Sequence, residues 1–380
     1  MDIIKTASNF VDYALLTGGR TVTRDRKDMA EITIEHEGKV LSRVYSGERL
    51  AEAAGYVRDY PAVYLVYDKS IEPMVANLRG LDNIRASRAI EATEDDKSID
   101  TVMDLCSWLL GEGADRSSFL LAAGGGITTD IAGFAASIFK RGIRFGYIPT
   151  TLLSQVDASI GGKTGVNFAG LKNMIGTIRQ PEFTYECPEV LETLPYREFR
   201  GGSAEMLKTF IIDDRGGNYE KAVRVLAGIH ASSDRPAAIA ARRGELLALI
   251  HAAAAVKAGV VGRDQFEKGE RRKLNLGHTF AHAIEKESGY SISHGEAVAV
   301  GMVMAAALSD RLGLTDGTLA ERLRLDFASC GLPVDCPYGK DALAAAMEKD
   351  KKAENGTMHF VLMKGIGEVI IKDMKVSEAL

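Results

Sequence analysis

Cysteine is scarce in this chain. The four present (Cys106, Cys187, Cys330, Cys336) show no CxxC spacing and read as reduced thiols of a cytosolic protein. No long hydrophobic run occurs either. The longest, AVAVGMVMAAAL from Ala297, is twelve residues, against roughly 20 for a membrane span, so it reads as a buried helix and no membrane partner is expected. The amino-terminal MDIIKTASNF has no basic stretch followed by an apolar run, so no signal peptide is expected. Positive charge is not in excess: the net charge is −5, which argues against general nucleic-acid binding. Lys140, Arg141 and Arg144 can still hold a small anion. Repeats, low-complexity tracts and long linkers are absent.

What is present is the composition of an ordinary globular chain, 46% apolar and 26% charged, with room in 380 residues for two domains. In the first half, short β-rich runs alternate with helical patterns. AVYLVYD (62–68) and SFLLAAGGG (118–126) read as buried parallel strands. SIDTVMDLCSWLLGEG (98–113) between them has apolar positions at helical spacing and a terminal glycine. This alternation predicts a Rossmann-like parallel sheet flanked by helices, with ligands at the carboxyl ends of the strands. From about Glu198 to Cys330, Ala-, Leu- and Glu-rich helical patterns dominate, and HFVLMKG with GEVIIKD predicts a late hairpin. The expected plan is an α/β domain over 1–194 followed by a mainly α-helical domain over 195–380.

GGGITTDIAGF follows a predicted strand and opens a helix. Glycine there lets backbone N–H groups approach an anion, and the helix N-terminus adds partial positive charge. The pattern is not GxGxxG, so a tight structural turn competes with nucleotide binding. Asp130 is a ribose or nicotinamide contact or a first-turn helix acid. IPTTLLSQVDASIGGKTGVNFAGLKNMIG (148–176) sets Asp157, Lys163, Lys172 and Asn173 in glycine-punctuated, non-helical chain. Loop lysines are usually just solvated; with Thr150 and Thr151, these can line a site for a polyhydroxylated, phosphorylated substrate. In GGSAEMLK, Glu205 and Lys208 share a helix face, as a surface ion pair or as a carboxylate ligand beside a cation. NLGHTFAHAIEKESGYSISHGEAVAVGM (275–302) holds three of seven histidines within seventeen residues. Spacing pairs His278 with His282 as ligands from one helix face. A His/His/carboxylate set with an open position suits zinc or a similar divalent metal. Which two histidines bind stays open at this level.

Together these segments resemble the 3-dehydroquinate synthase family. The matching pieces are GGGITTDIAGFAASIFKRG, IPTTLLSQVDASIGGKTGVN, KNMIG, QP, TLPYREFRGGSAEMLK, EKGERRKLNLGHTFAHAIE, HGEAVAVGM and DKK at 350–352, in family order from about Asp68 onward. The resemblance implies that Glu205, His278 and His294 hold a metal, zinc or cobalt, and that His282 is an acid–base group, contrary to the spacing. It implies Glu267 as a second proton acceptor, with Lys163, Lys208 and Arg271 also in the catalytic set. Asp157, Lys163, Lys172, Asn173, Lys208, Lys257, Arg271 and Asn275 fall at substrate positions. Arg141 matches an arginine that reaches the phosphate from a neighbouring subunit of a homodimer, and Lys351 or Lys352 should meet the same group. NAD contacts would come from Asp68, Lys69, Ser70, Glu94, Lys97, Gly125, Gly126, Asp130, Thr150, Thr151 and Thr193.

Thr129 stands where the family usually has glycine, Gln265 where it often has glutamate, Ala281 where it often has glycine and Cys187 where aspartate is common. None removes an implied ligand or proton-transfer group. The implied reaction converts the sugar phosphate 3-deoxy-arabino-heptulosonate 7-phosphate to 3-dehydroquinate and phosphate in the cytoplasm, by oxidation, elimination, reduction, ring opening and aldol closure. The rivals are a sister sugar-phosphate cyclase, acting on sedoheptulose 7-phosphate or glucose 6-phosphate, and a metal-dependent polyol dehydrogenase. A non-catalytic metal- or nucleotide-binding protein is a third.

Overall fold

A computed structural model describes residues 30–351 and 358–380, the side chains of 349–351 excepted. Its strands are β1 (Ala30–His36), β2 (Lys39–Ser46), β3 (Val63–Asp68), β4 (Ile84–Ile90), β5 (Phe119–Gly124), β6 (Arg144–Pro149), β7 (Lys163–Phe168), β8 (Leu171–Ile178), β9 (Phe183–Glu186), β10 (Met358–Gly365) and β11 (Glu368–Met374). Seven of these form one sheet in the order β1-β2-β9-β6-β5-β3-β4. Every pairing in it is parallel except the β1–β2 edge. Two antiparallel hairpins, β7–β8 and β10–β11, stand apart; the second is the expected late hairpin.

Helices α1 (Ala54–Val57), α2 (Glu72–Arg79), α3 (Ile99–Gly111) and α4 (Gly126–Ile138) belong to the strand-rich half. Helices α5 (Tyr196–Ile212), α6 (Asn218–His230), α7 (Arg235–Ala241), α8 (Arg243–Arg263), α9 (His278–Glu287), α10 (His294–Arg311), α11 (Leu319–Ser329) and α12 (Lys340–Lys351) form the other half, with the short α13 (Val376–Ala379) last. The predicted helix between β3 and β5 is α3. Ser98 caps it by accepting the Thr101 N–H, and Gly113 beyond its end adopts a φ of +78°.

β5 shows how the two halves are joined. All six of its residues are buried, as expected of a strand covered on both faces. Leu120 and Ala122 pack with Leu105, Leu109, Ile131 and Ala135 of α3 and α4. Phe119, Leu121 and Ala123 point the other way, into a core that also contains Phe199, Leu207 and Phe210 of α5 and Ile250 of α8. The helical half thus covers the sheet face that α3 and α4 leave bare.

The apolar run from Ala297 is the middle of α10, as expected, and most of that helix is buried. By length and composition alone, α8 could cross a membrane. In the fold it is a packed helix, with Leu246, Ile250, Ala253, Ala254 and Val260 buried and Lys257 paired with Asp157. One local expectation is corrected. Asp157 lies in a single π-helical turn, Ser154–Ala158, not in non-helical chain. The Gln155 amide fixes that turn by donating to the carbonyls of Pro149 and Cys187, and the Ser159 hydroxyl donates to the Ser154 carbonyl.

Candidate active site

Glycines set the distances in this site. α5 and α10 cross where Gly201 meets Gly295, and a Cβ on Gly295 would collide with the Gly201 backbone. α9 begins after Gly277, whose φ is +78°, and meets α10 at Gly301, where a Cβ would strike the Gly277 carbonyl. Glu205, one turn along α5 from Gly201, therefore lies against the first residues of both α9 and α10.

Glu205 Oε1 is 3.6 Å from His294 Nε2 and 3.9 Å from His278 Nε2. One ligand atom from each of the three residues falls within 4.8 Å of the others. The second ring nitrogens face other acceptors: His278 Nδ1 is 3.1 Å from the Leu276 carbonyl, and His294 Nδ1 is 3.4 Å from Glu285 Oε2. Donation from each Nδ1 leaves both Nε2 lone pairs facing Glu205. Both Glu205 oxygens are buried without an aligned hydrogen-bond donor, although the Lys208 ammonium contacts one. An orphaned carboxylate facing two imidazole lone pairs fits a divalent cation.

The charges follow from these neighbours. Burial opposes ionisation of Glu205, but Lys208, His294 and His278 outweigh it and hold the carboxyl below its ordinary range. Burial, then the Lys208 ammonium, keeps His278 well below the usual imidazole value. Burial works against charge on His294 too, but the facing carboxylates of Glu205 and Glu285 lift it to about 9. A cation at this position takes the place of the His294 proton.

The substrate-side residues expected from sequence cluster around this centre, each lysine already facing an acid. Lys208 donates to Asp157 at 2.9 Å, and Lys257 contacts the same carboxylate. Burial and the neighbouring Arg271 push the Lys257 ammonium well down, and the charges of Asp130 and Glu267 only partly oppose that shift. Lys163 pairs with Glu267, which also accepts from the Asn275 amide at 2.8 Å. Burial raises Glu267, but Lys163 more than offsets it and keeps the carboxylate ionised. Arg271 is buried, donating to the carbonyls of Gln265 and Gly161 at 2.6 and 3.1 Å. His282 is exposed one turn along α9, its ring centroid 5.7 Å from that of His278.

A second group sits at the carboxyl ends of β5 and β6. Gly125 caps α4, and a Cβ there would press on Thr151; Thr150 donates its N–H to the Gly124 carbonyl. Gly126 opens α4 close to Ala158 of the π turn. Thr129 turns inward and donates to the Gly126 carbonyl, so it leaves the Gly125–Gly126 turn intact. Buried Lys97 donates to Asp130 and to Asn173 Oδ1, each at 2.6 Å. Glu94 accepts from Asn167, whose own side chain accepts the Asn173 N–H. Cys187 donates to the Glu48 carbonyl, and burial pushes its thiol up to about 12.

Other expected residues lie apart from these contacts. Asp68 caps a short turn through the Ser70 N–H, while Lys69 pairs with Glu91 at the surface. Thr193 is exposed just before α5, and Arg141 is exposed with φ at +68°. The side chain of Lys351 and all of Lys352 lie outside the described residues.

Sequence reading passed over Glu285. It is buried, and besides His294 it faces Lys172 Nζ at 3.5 Å. Its signal was available, since residues 278, 282 and 285 share one face of a helix.

Two family models match this chain: 3-dehydroquinate synthase N-terminal over residues 87–201 and 3-dehydroquinate synthase C-terminal over 202–353. The chain is 41% identical to the 3-dehydroquinate synthase of Acidithiobacillus ferrooxidans over 321 residues, 81% of this chain and 84% of that one. With the Rhodospirillum rubrum protein of the same name it shares 42% over 325 residues, 82% of each. Among solved structures, 2-epi-5-epi-valiolone synthase from Streptomyces hygroscopicus, with NAD+ and Zn2+ bound, matches with a TM-score of 0.78 at 30% identity, covering 90% of this chain and 95% of that one. A 2-deoxy-scyllo-inosose synthase complexed with carbaglucose-6-phosphate, NAD+ and Co2+ shares the fold, with a TM-score of 0.80 at 24% identity over 92% and 97% of the two chains.

Proposed function

Because the chain belongs to the 3-dehydroquinate synthase family, we propose that it converts 3-deoxy-arabino-heptulosonate 7-phosphate to 3-dehydroquinate and phosphate. It is then a carbon–oxygen lyase of the shikimate pathway, working on a small sugar phosphate in the cytoplasm. The observation that carries this reading is the junction of an orphaned Glu205–His278–His294 donor set with the Asp157–Lys208–Lys257 charge cluster.

In this reading Glu205, His278 and His294 hold Zn2+ or Co2+. NAD lies along Gly125, Gly126, Thr150, Thr151, Asp130, Lys97 and Glu94, with Asp68, Lys69, Ser70 and Thr193 at its margins. The 30%-identical relative with NAD+ and Zn2+ bound supports that pair. When bound, the metal polarises the hydroxyl to be oxidised, and NAD accepts and returns a hydride. The remaining work belongs to the chain. Lys163, Lys208, Lys257, Arg271, Lys172, Asn173 and Asn275 hold and orient the substrate's carboxylate, hydroxyls and phosphate, with Asp157 setting two of the lysines. Glu267, kept ionised by Lys163, accepts a proton, and the exposed His282 passes one between substrate and solvent. Arg141 reaches the phosphate of a neighbouring subunit in a homodimer, and Lys351 or Lys352 meets the same group. The division at Leu194–Pro195, nucleotide on 1–194 and metal with substrate on 195–380, is part of this proposal.

A sister cyclase is the second reading, favoured by the valiolone synthase match. The test measures phosphate release and NADH absorbance together, on protein given zinc, NAD and 3-deoxy-arabino-heptulosonate 7-phosphate. Phosphate without accumulating NADH is the expected result. No phosphate here but release from sedoheptulose 7-phosphate would move the activity to the sister cyclase. NADH building up on a simple polyol would make the chain a dehydrogenase.

A further inference from the structure

We infer that Glu285 is a positioning residue. It fixes the ring of His294 toward the metal and ties that ring to Lys172 on the β7–β8 hairpin. This inference rests on the metal reading above.

The geometry has three parts. Glu285 Oε2 lies 3.4 Å from His294 Nδ1, on the side of the ring opposite the Nε2 that faces Glu205. Its other oxygen, Oε1, lies 3.5 Å from Lys172 Nζ, whose ammonium also stands 4.5 Å above the Tyr290 ring. The carboxylate itself is buried, at 5% exposure, so it must find its partners inside the protein.

Each oxygen therefore has its own cation-side partner. The contact with Nδ1 selects the tautomer whose Nε2 lone pair is free, which is the form a metal needs. His278 receives the same selection from a neutral backbone carbonyl, that of Leu276. The two ligands thus differ in kind: one ring is set by a peptide, the other by a charge. An anionic partner makes the imidazole more basic and a better donor. The contact also crosses the molecule, because Lys172 belongs to the strand-rich half while Glu285 and His294 belong to the helical half. A substrate anion that draws Lys172 toward itself acts on the same carboxylate that holds the metal ligand.

The test is zinc affinity of the full-length protein, by competition with a chromophoric chelator, for the parent, Glu285→Gln and Lys172→Met. Glu285→Gln keeps the shape and removes the charge. It should weaken zinc roughly 10–100-fold, the usual cost of losing an outer partner of a ligating histidine. Lys172→Met leaves the Glu285–His294 contact in place, so zinc affinity should stay within about twofold of the parent while KM rises. Glu285→Gln binding zinc as tightly as the parent would overturn the inference, as would Lys172→Met losing zinc equally. Should Glu285→Gln not fold, the histidine 15N spectrum of the zinc-loaded parent decides. Zinc on Nε2 of His294 with a retained Nδ1 proton supports the inference, and zinc on Nδ1 overturns it. A parent that binds no zinc removes the metal reading, and this inference with it. Tight parental binding with an unchanged Glu285→Gln removes this inference alone.

Discussion

Glu205 and Glu186 are buried alike, at 1% and 0% exposure, in different parts of the molecule. Glu205 sits on α5 among Lys208, His278 and His294, which hold it ionised against its burial. Glu186 ends β9, where its aligned partner is the Ser46 hydroxyl at 3.2 Å, and its Oε1 accepts nothing. Burial pushes that carboxyl well above the ordinary value. The difference teaches that burial does not decide charge in this fold; the cations within reach do. At Glu205 the helices bring a lysine and two imidazoles, and there a metal can replace a proton. At Glu186 the next group, His251 Nδ1, lies 2.9 Å beyond Ser46 Oγ, and its own burial keeps it neutral.

The largest effect comes from breaking the first environment. His278→Ala removes one of the three proposed ligands, so zinc content measured on the purified protein should fall to background and activity with it. The loss should exceed the roughly 10–100-fold typical of an outer-shell partner. Full zinc occupancy in that variant would remove His278 from the ligand set. Next comes the packing that assembles the site. Gly295→Ala drives a methyl group into the Gly201 backbone, and α10 must shift away from α5. Urea unfolding should show a loss of about 1–3 kcal/mol, with weaker zinc binding alongside. Unchanged stability and zinc affinity would mean that the helix crossing is not what sets the Glu205–His294 distance.

Lys163→Ala probes the substrate side without touching the metal. Its ammonium is half exposed and already paired with Glu267, so the expected fall in kcat/KM is about tenfold, the lower end for a hydrogen bond to a charged group. Metal content should not change. A variant as active as the parent would take Lys163 out of the site.

These cases also mark what could be read before the fold was known. Strands β3 and β5 were legible because strands covered on both faces are continuous apolar runs, and α3 because Ser98 and Gly113 punctuate it. The neighbours of Glu205 were not legible from spacing. Spacing pairs His278 with His282, whereas the fold sets His294 beside Glu205 and leaves His282 exposed. That choice depends on two helix crossings, Gly201 with Gly295 and Gly277 with Gly301, which join positions far apart in the chain. Motif order pointed to His294 without explaining it; the glycine contacts supply the reason. Glu186 had no signal at all, because nothing in FTYEC says that position 186 points into the core. The π turn was hidden for a related reason, since Gln155 satisfies backbone carbonyls that only the folded chain brings near.

The smallest expected effect is the sharpest test of the comparison. A carboxyl whose folded pKa lies above its unfolded value keeps a proton that the unfolded chain releases. Below about pH 4 both states are protonated and the stability is intact. As the pH rises toward the folded value, the unfolded chain ionises freely and stability falls. Glu186→Gln cannot ionise in either state, so it should lose less stability across that window. Urea unfolding from pH 4 to 8 should give matching stabilities at the acid end, and a variant more stable by on the order of 1 kcal/mol at pH 8. Ser46 can bond either side chain, so its hydroxyl should not blur the difference. Parallel curves would mean that Glu186 is ionised in the folded protein, with a counter-charge reaching it. The contrast with Glu205 would then be one of geometry alone.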